Sequence, residues 1–221
     1  MSCCAHCAAT RQYFSPKVAE SDLRRYRRKG PDPTTRLILE ELSRQPLDGV
    51  DLLDVGGGIG VLGLELLAAG IGRVLQVDAS PAYLAVAERQ FAERGWAERA
   101  TLLVGDFAAL AAPPEPADVV TLDRVVCCYP DCEALLGRAA ACARGVLALS
   151  YPRDRWYVRW VVALENLWWR ITRNPFRSFV HPPARLAAVI ERSTLRRVAR
   201  RGSAIWVVDL YRRSDAAPPP A

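Results

Sequence analysis

Lysine is almost missing from this chain: Lys17 and Lys29 are the only lysines among 30 basic residues, and the rest are arginine. A net charge of +6 would ordinarily suggest nucleic acid or a membrane surface as partner. Arginine and alanine are abundant throughout, however, so the charge reads as compositional bias. Two basic clusters, Arg24 to Lys29 and Arg196 to Arg201, read as solvated helix and strand faces. No apolar run reaches the ~20 residues that span a bilayer. The N-terminus opens on Cys3 and Cys4 without the apolar stretch of a secretory signal, so a cytoplasmic location with reduced thiols is expected. Histidine is equally scarce: His6 and His181 are the only imidazoles. Cys4-x-x-Cys7 has no second Cys-x-x-Cys pair to complete the four ligands of a structural zinc. Cys127, Cys128 and Cys132 could complete it if the N-terminal arm folds over the end of a strand expected at Asp118–Leu122; the expectation is unpaired structural cysteines, with Cys142 in the core. Internal repeats are absent, as is an aromatic and basic platform for stacking bases, so no nucleic-acid partner is expected.

What is present is the composition of one folded domain: 221 residues, 51% hydrophobic and 24% charged. Residues 1–18 read as an irregular, cysteine-containing arm. Residues 19–45 read as helical with a break at Gly30-Pro31-Asp32-Pro33, and Arg36 and Glu40 are spaced to pair along the helix after the break. From Val50 strands and helices alternate. Strands are expected at Val50–Val55, Arg73–Val77, Thr101–Val104, Asp118–Leu122 and Gly145–Ser150. Helices are expected at Val61–Ala69, from Ser80-Pro81 to about Arg94, and at Glu133–Ala143 with Asp131 as its cap. This alternation implies an α/β fold, a mostly parallel sheet with helices on both faces. The last third changes character. Arg155–Thr172 and Ala184–Arg192 read as helices, and Arg196–Arg200 with Ser203–Tyr211 as a terminal hairpin. Residues 214–221 read as a disordered, Ala/Pro-rich tail. In domain terms, residues 1–45 form an arm with helices, residues 46–213 the main domain with an aromatic insertion at 151–182, and the remainder the tail.

The segment Asp54-Val55-Gly56-Gly57-Gly58-Ile59-Gly60 sits between a strand and a helix, the context in which a glycine loop has meaning. Gly56, Gly58 and Gly60 let the backbone turn and approach a ligand. Eighteen residues beyond Gly60 the second strand ends in Asp78, where a carboxylate can accept hydrogen bonds from ribose hydroxyls. The spacing Gly-x-Gly-x-Gly differs from the Gly-x-Gly-x-x-Gly that seats a pyrophosphate on a helix N-terminus. Asp54 ahead of the loop would repel a pyrophosphate and suits a cation.

These residues resemble the class I S-adenosylmethionine-dependent methyltransferases, a resemblance covering about residues 50–150. Asp54 to Gly60 looks like the family's first motif and Asp78 like its ribose-binding acid. In Val104-Gly105-Asp106-Phe107, Asp106 matches the residue that meets the adenine amino group and Phe107 the one that packs on the ring. The resemblance implies S-adenosylmethionine as cofactor and a Rossmann-like sheet of seven strands, the last antiparallel. A partial resemblance to the magnesium-protoporphyrin IX methyltransferase family adds Tyr13-Phe14, Tyr26 and Asp123. Cys128-Tyr129 stands where that family has His-Tyr, so its catalysis does not carry over directly.

The acceptor is expected to be a small or medium-sized, apolar molecule methylated on oxygen, a porphyrin carboxylate being one example. Leu122-Asp123-Arg124-Val125-Val126 lacks the Asn-Pro-Pro-Tyr pattern of base and amide N-methylation. Candidate catalytic residues are Asp123, Tyr129 and His181, the last as a base for a hydroxyl acceptor. The helix from Arg155 carries Trp156, Trp160, Trp168 and Trp169 with arginines at both ends. It is open to three readings: a helix docked on the sheet, a lid over an apolar substrate, or a peripheral membrane contact. A non-catalytic cofactor- or metal-binding regulatory module, or an enzyme using another nucleotide, are the competing functions. The oligomeric state is not legible.

Overall fold

Leu52, Leu53, Asp54 and Val55 are all buried, as a strand covered on both faces requires. In the computed structural model, which describes residues 5–214 with side chains from Ala9 onward, they belong to β1 (Asp51–Val55). β1 pairs in parallel with β2 (Arg73–Asp78) and with β4 (Ala117–Leu122). β3 (Ala100–Val104) adds outside β2, and β5 (Ala143–Pro152) outside β4. The hairpin of β6 (Leu195–Gly202) and β7 (Trp206–Arg213) closes the sheet, with β7 antiparallel to β5 and to β6. The order is β3-β2-β1-β4-β5-β7-β6, a Rossmann-like sheet. Order reverses between β1 and β4, and ligands of such sheets bind at the carboxyl ends beside that point.

The period-two alternation of the strands divides the core. Leu52, Val74, Val119 and Ala148 face α3 (Pro33–Leu42), α4 (Val61–Ala68) and α5 (Pro81–Glu93), with α2 (Pro16–Lys29) packed outside. Leu53, Val77, Val120 and Leu147 face α6 (Cys132–Cys142) and α8 (Pro183–Glu191). The helix starts follow their sequence signals. The Ser80 hydroxyl accepts the Tyr83 N–H with Pro81 opening α5, and the Asp131 carboxylate accepts the Ala134 N–H at 3.0 Å at the start of α6.

Three expectations need correction. The N-terminal arm is not irregular: α1 (Ala5–Tyr13) and α2 replace it. Pro16 is harmless in the first turn of α2. The sequence pattern missed the packing of Tyr13 and Phe14 against distant rings, which pins both helices. Arg36 does not rely on Glu40; its guanidinium donates to the Pro31 carbonyl. Trp156, Trp160 and Trp168 on α7 (Trp156–Ile171) are exposed, so that face does not dock on the sheet. Cys3, Cys4 and residues 215–221 lie outside the described residues, as do the side chains of His6 and Cys7. Among the described residues no three metal-ligating side chains cluster.

β7 is tied to its neighbours by a buried charge. Asp209, fully buried, accepts two hydrogen bonds from the Arg200 guanidinium, each 2.7 Å, and one from the Tyr151 hydroxyl at 2.7 Å. Arg200 reaches partly into solvent, so removing the carboxylate strands a half-hydrated cation rather than a buried one. Asp209→Asn should therefore lower unfolding free energy by about 2–4 kcal/mol. Urea unfolding would register this as an earlier midpoint at constant slope; a change below about 0.5 kcal/mol would refute the role assigned to this pair.

Candidate functional site

A cavity of about 400 Å³ opens at the carboxyl ends of β1, β2 and β4. Its floor is the turn from β1 into α4. Gly56 and Gly58 both take positive φ, 65° and 59°. A Cβ on Gly56 would lie 2.5 Å from Val125 Cγ2, so glycine there meets both a conformational and a steric demand.

Three carboxylates converge on this floor. Asp78 accepts the Gly58 N–H at 2.9 Å on one oxygen and the Ser80 N–H at 2.7 Å on the other. Burial still pushes its pKa up against those two bonds. Asp54 is buried beneath the loop. Its Oδ1 accepts from the Thr121 hydroxyl at 2.6 Å, and its Oδ2, facing Gly57, has no partner among the described residues. Burial, opposed by the Thr121 bond and reinforced by the charges of Asp123 and Asp78, pushes its pKa up to about 7. Asp123 follows β4 and accepts from the Ser150 hydroxyl and the Thr35 hydroxyl, each at 2.5 Å. An unpartnered buried carboxylate oxygen under a close-approach glycine loop, with a second carboxylate at the end of β2, fits a ligand with a hydroxyl-bearing sugar and a positive charge. That is the chemistry of S-adenosylmethionine.

Asp106 and Phe107 lie on the next wall. Asp106 opens a single 3-10 turn by accepting the Ala108 N–H at 3.1 Å, and the Tyr129 hydroxyl donates to its two oxygens at 2.9 and 3.0 Å. Phe107 is buried, joining the core to the cavity. The expected residues Asp54, Gly56, Gly58, Asp78, Asp106, Phe107, Asp123 and Tyr129 thus line one cavity, while Gly60 opens α4 with φ 85° behind it.

His181 is the exception. It is buried, donates from Nε2 to the Tyr129 carbonyl at 3.0 Å, and stacks on Phe179. It lies outside the cavity lining, so the base role expected of it has no geometric footing; burial lowers its pKa and keeps the ring neutral. It holds in place the backbone that carries Tyr129.

The opposite wall joins Tyr13 and Phe14, which the family resemblance named, to Trp169 and Phe176, whose place in the cavity the sequence did not show. Tyr13 stacks on Phe176 with centroids 4.4 Å apart, Trp169 meets Phe176 edge-on at 5.0 Å, and Phe14 bridges Phe176 and Tyr83. Phe176 lies in an irregular segment without periodicity, and Trp169 is one residue from the exposed Trp168, so no pattern marks either. The Asn166 side chain and the Ser178 backbone exchange two hydrogen bonds, of 2.8 and 2.9 Å, strapping that segment to α7. At the mouth, Asp32 pairs with Arg124 at 2.7 Å and with Arg25.

Residues 52–145 match the family model described as a methyltransferase domain. The chain is 34% identical over 91 residues to the ribosomal protein L11 methyltransferase of Saccharophagus degradans, covering 41% of this chain and 30% of that protein. It is 42% identical over 66 residues to that of Geobacter metallireducens, covering 30% and 22%. The chain therefore spans under a third of the length of these curated relatives. A crystal structure of magnesium protoporphyrin IX methyltransferase from Synechocystis PCC 6803 with bound SAH superposes with a TM-score of 0.70 at 18% identity, covering 93% of this chain and 98% of that one. An O-methyltransferase family protein from Burkholderia thailandensis gives 0.69 at 16%, covering 91% and 60%. At these identities the two structures establish the fold.

The raised pKa of Asp54 has a consequence for the ligand-free protein. The folded chain holds the Asp54 proton up to about pH 7, whereas an unfolded aspartate releases it near pH ~3.9. Folded protein thus binds more protons in that window, and stability falls as pH rises through it. Between pH ~5 and ~7, Asp54→Asn should remove a loss on the order of 2 kcal/mol. Urea titrations at both pH values would measure it, and equal pH slopes for both proteins would sink the assignment.

Proposed function

We propose that this chain, whose residues 52–145 match a methyltransferase domain model, is a class I S-adenosylmethionine-dependent methyltransferase that methylates a small or medium-sized apolar acceptor on oxygen. The observation that carries the reading is Asp78, a carboxylate fixed at the end of β2 by backbone N–H groups from the glycine loop and from the start of α5. When bound, S-adenosylmethionine supplies an activated methyl group on a sulfonium. Asp78 would take the ribose hydroxyls, Asp106 the adenine amino group and Phe107 the ring. Gly56, Gly58 and Gly60 would admit the backbone to the methionine portion. Asp54 would offer its negative field from below the loop, and a cation there would draw its pKa back down.

Methyl displacement from a sulfonium needs in-line alignment more than proton transfer. The protein's acid and base groups are consistent with that. Asp123 has both oxygens held by hydroxyls, so its role in this reading is to brace the end of β4 between α3 and β5. The Tyr129 hydroxyl is spent on Asp106, and His181 stands away from the cavity. An acceptor that arrives as an anion needs no base, and this favours a carboxylate; a porphyrin carboxylate is one such group. Tyr13, Phe14, Trp169 and Phe176 would receive the apolar body of the acceptor.

Calorimetric titration with S-adenosylmethionine, S-adenosylhomocysteine and NAD tests the cofactor. Asp78→Ala should weaken S-adenosylhomocysteine at least about tenfold in protein that still folds, the cost of one charge-assisted hydrogen-bond partner. Binding of NAD alone, or unchanged affinity in folded Asp78→Ala, would overturn the reading. Trp169→Ala should raise KM for a large apolar acceptor about tenfold or more with cofactor affinity unchanged, from the loss of one buried aromatic contact. An unchanged KM would remove the aromatic wall from acceptor binding.

A further inference from the structure

α7 carries two faces of opposite fate. Val158 is buried, Trp169 and Glu165 border the cavity, and Asn166 straps the following segment, so the helix is held at a fixed rotation. The other side presents Trp156, Trp160 and Trp168 at 74%, 65% and 64% exposure, with Leu164, Leu167 and Ile171 also exposed beside them. At helical spacing these residues form one stripe along a helix about 24 Å long. Tyr157 extends the patch by donating to the Ala204 carbonyl at 2.6 Å, beside the exposed Ile205 of the β6–β7 turn. A contiguous apolar surface of this kind marks a contact site.

We propose that this stripe seats the protein on an anionic lipid surface, with α7 lying in the interface plane. The charges select that occupant. The stripe contains no acidic residue, and exposed arginines stand at both of its ends: Arg155 and Arg159 at one, Arg170 and Arg173 at the other. Arg159 is paired with Asp154 at 2.5 Å, leaving the others to meet headgroups. A second copy packed on the same face, parallel or antiparallel, would set arginine against arginine. Anionic headgroups complement both ends, and tryptophan is the side chain suited to the boundary between headgroups and acyl chains. Among the described residues no helix is long and apolar enough to cross a membrane, so the contact is peripheral. The surface stands independently of the methyl-transfer reading. If both hold, α7 lies between the bilayer and the cavity, a short route for an apolar acceptor dissolved in lipid.

The test uses the full chain with vesicles of phosphatidylcholine alone or mixed with phosphatidylglycerol. The protein should float with the mixed vesicles and much less with the neutral ones. Its tryptophan emission should shift to shorter wavelength and be quenched by brominated acyl chains, and about 0.5 M salt should weaken the binding. Trp160→Ser combined with Trp168→Ser should cut partitioning at least about tenfold. Arg170→Ser should cost roughly fivefold on the anionic vesicles alone. An unchanged melting temperature would show that the variants fold, and bromolipid quenching of the unaltered protein gives a reading that needs no variant. Absence of flotation and of quenching with both vesicles would overturn the proposal. So would a dimer in sedimentation velocity that the tryptophan substitutions dissociate, which would give the stripe to a second copy.

Discussion

The carboxyl edge of the sheet gathers negative charge. Asp54, Asp78 and Asp123 lie at the carboxyl ends of three adjacent parallel strands, and burial raises the pKa of Asp54 and of Asp78, so those two need donors to keep their charge. The surrounding structure meets that demand. The glycine loop brings the Gly58 N–H to Asp78. β4 contributes the Thr121 hydroxyl to Asp54. α3 and β5 contribute Thr35 and Ser150 to Asp123. The break between α2 and α3 presents Asp32 to Arg124, fixing the turn after β4, where Arg124 itself takes a φ of 60°. What remains unmet, above all Asp54 Oδ2, defines a site for a ligand that brings donors and positive charge.

The second constraint is hydrophobic and joins distant parts of the chain. Tyr13 and Phe176 stack although 163 residues separate them, and Phe14 and Trp169 close around the pair. Each contact is modest, yet together they hold α1 and the segment after α7 over the cavity. The carboxylate floor and the aromatic roof therefore come from different physics. The floor is built by parallel strands at a topological switch point; the roof is built by helices that cross over it. Such a cavity suits a polar cofactor below and an apolar acceptor above.

α7 couples these layers to the outside. Its inner residues contribute to the roof, and its outer tryptophans and leucines stay exposed. Burying that outer face on the sheet would have needed a second apolar surface. The β6–β7 hairpin offers little, because its β6 face is mostly arginine, with Arg200 engaged by Asp209 and Arg201 by Glu41.

The local code of this chain was readable because it is short-range. Strand and helix alternation, the caps at Ser80 and Asp131, and the glycine loop ending in Asp54-to-Gly60 each depend on residues within a few positions of one another, so period and turn chemistry reveal them. The parallel sheet follows from that alternation, and Asp78 follows from the length of one strand-turn-helix-strand unit. The helix at Ala5–Tyr13 was not readable, because a short helix near a chain end is stabilised by packing rather than by propensity. The same holds for the roles of individual polar residues. Asp123 and His181 were both candidates for chemistry in the sequence. Only the folded chain brings Thr35 and Ser150 to the one, and turns the other away from the cavity onto the Tyr129 carbonyl. Hydrogen-bond partners that are 27 to 88 residues away in sequence leave no periodic trace. What a polar side chain can do is therefore decided by the tertiary structure, while the sequence by itself determines the scaffold and the loop on which that chemistry stands.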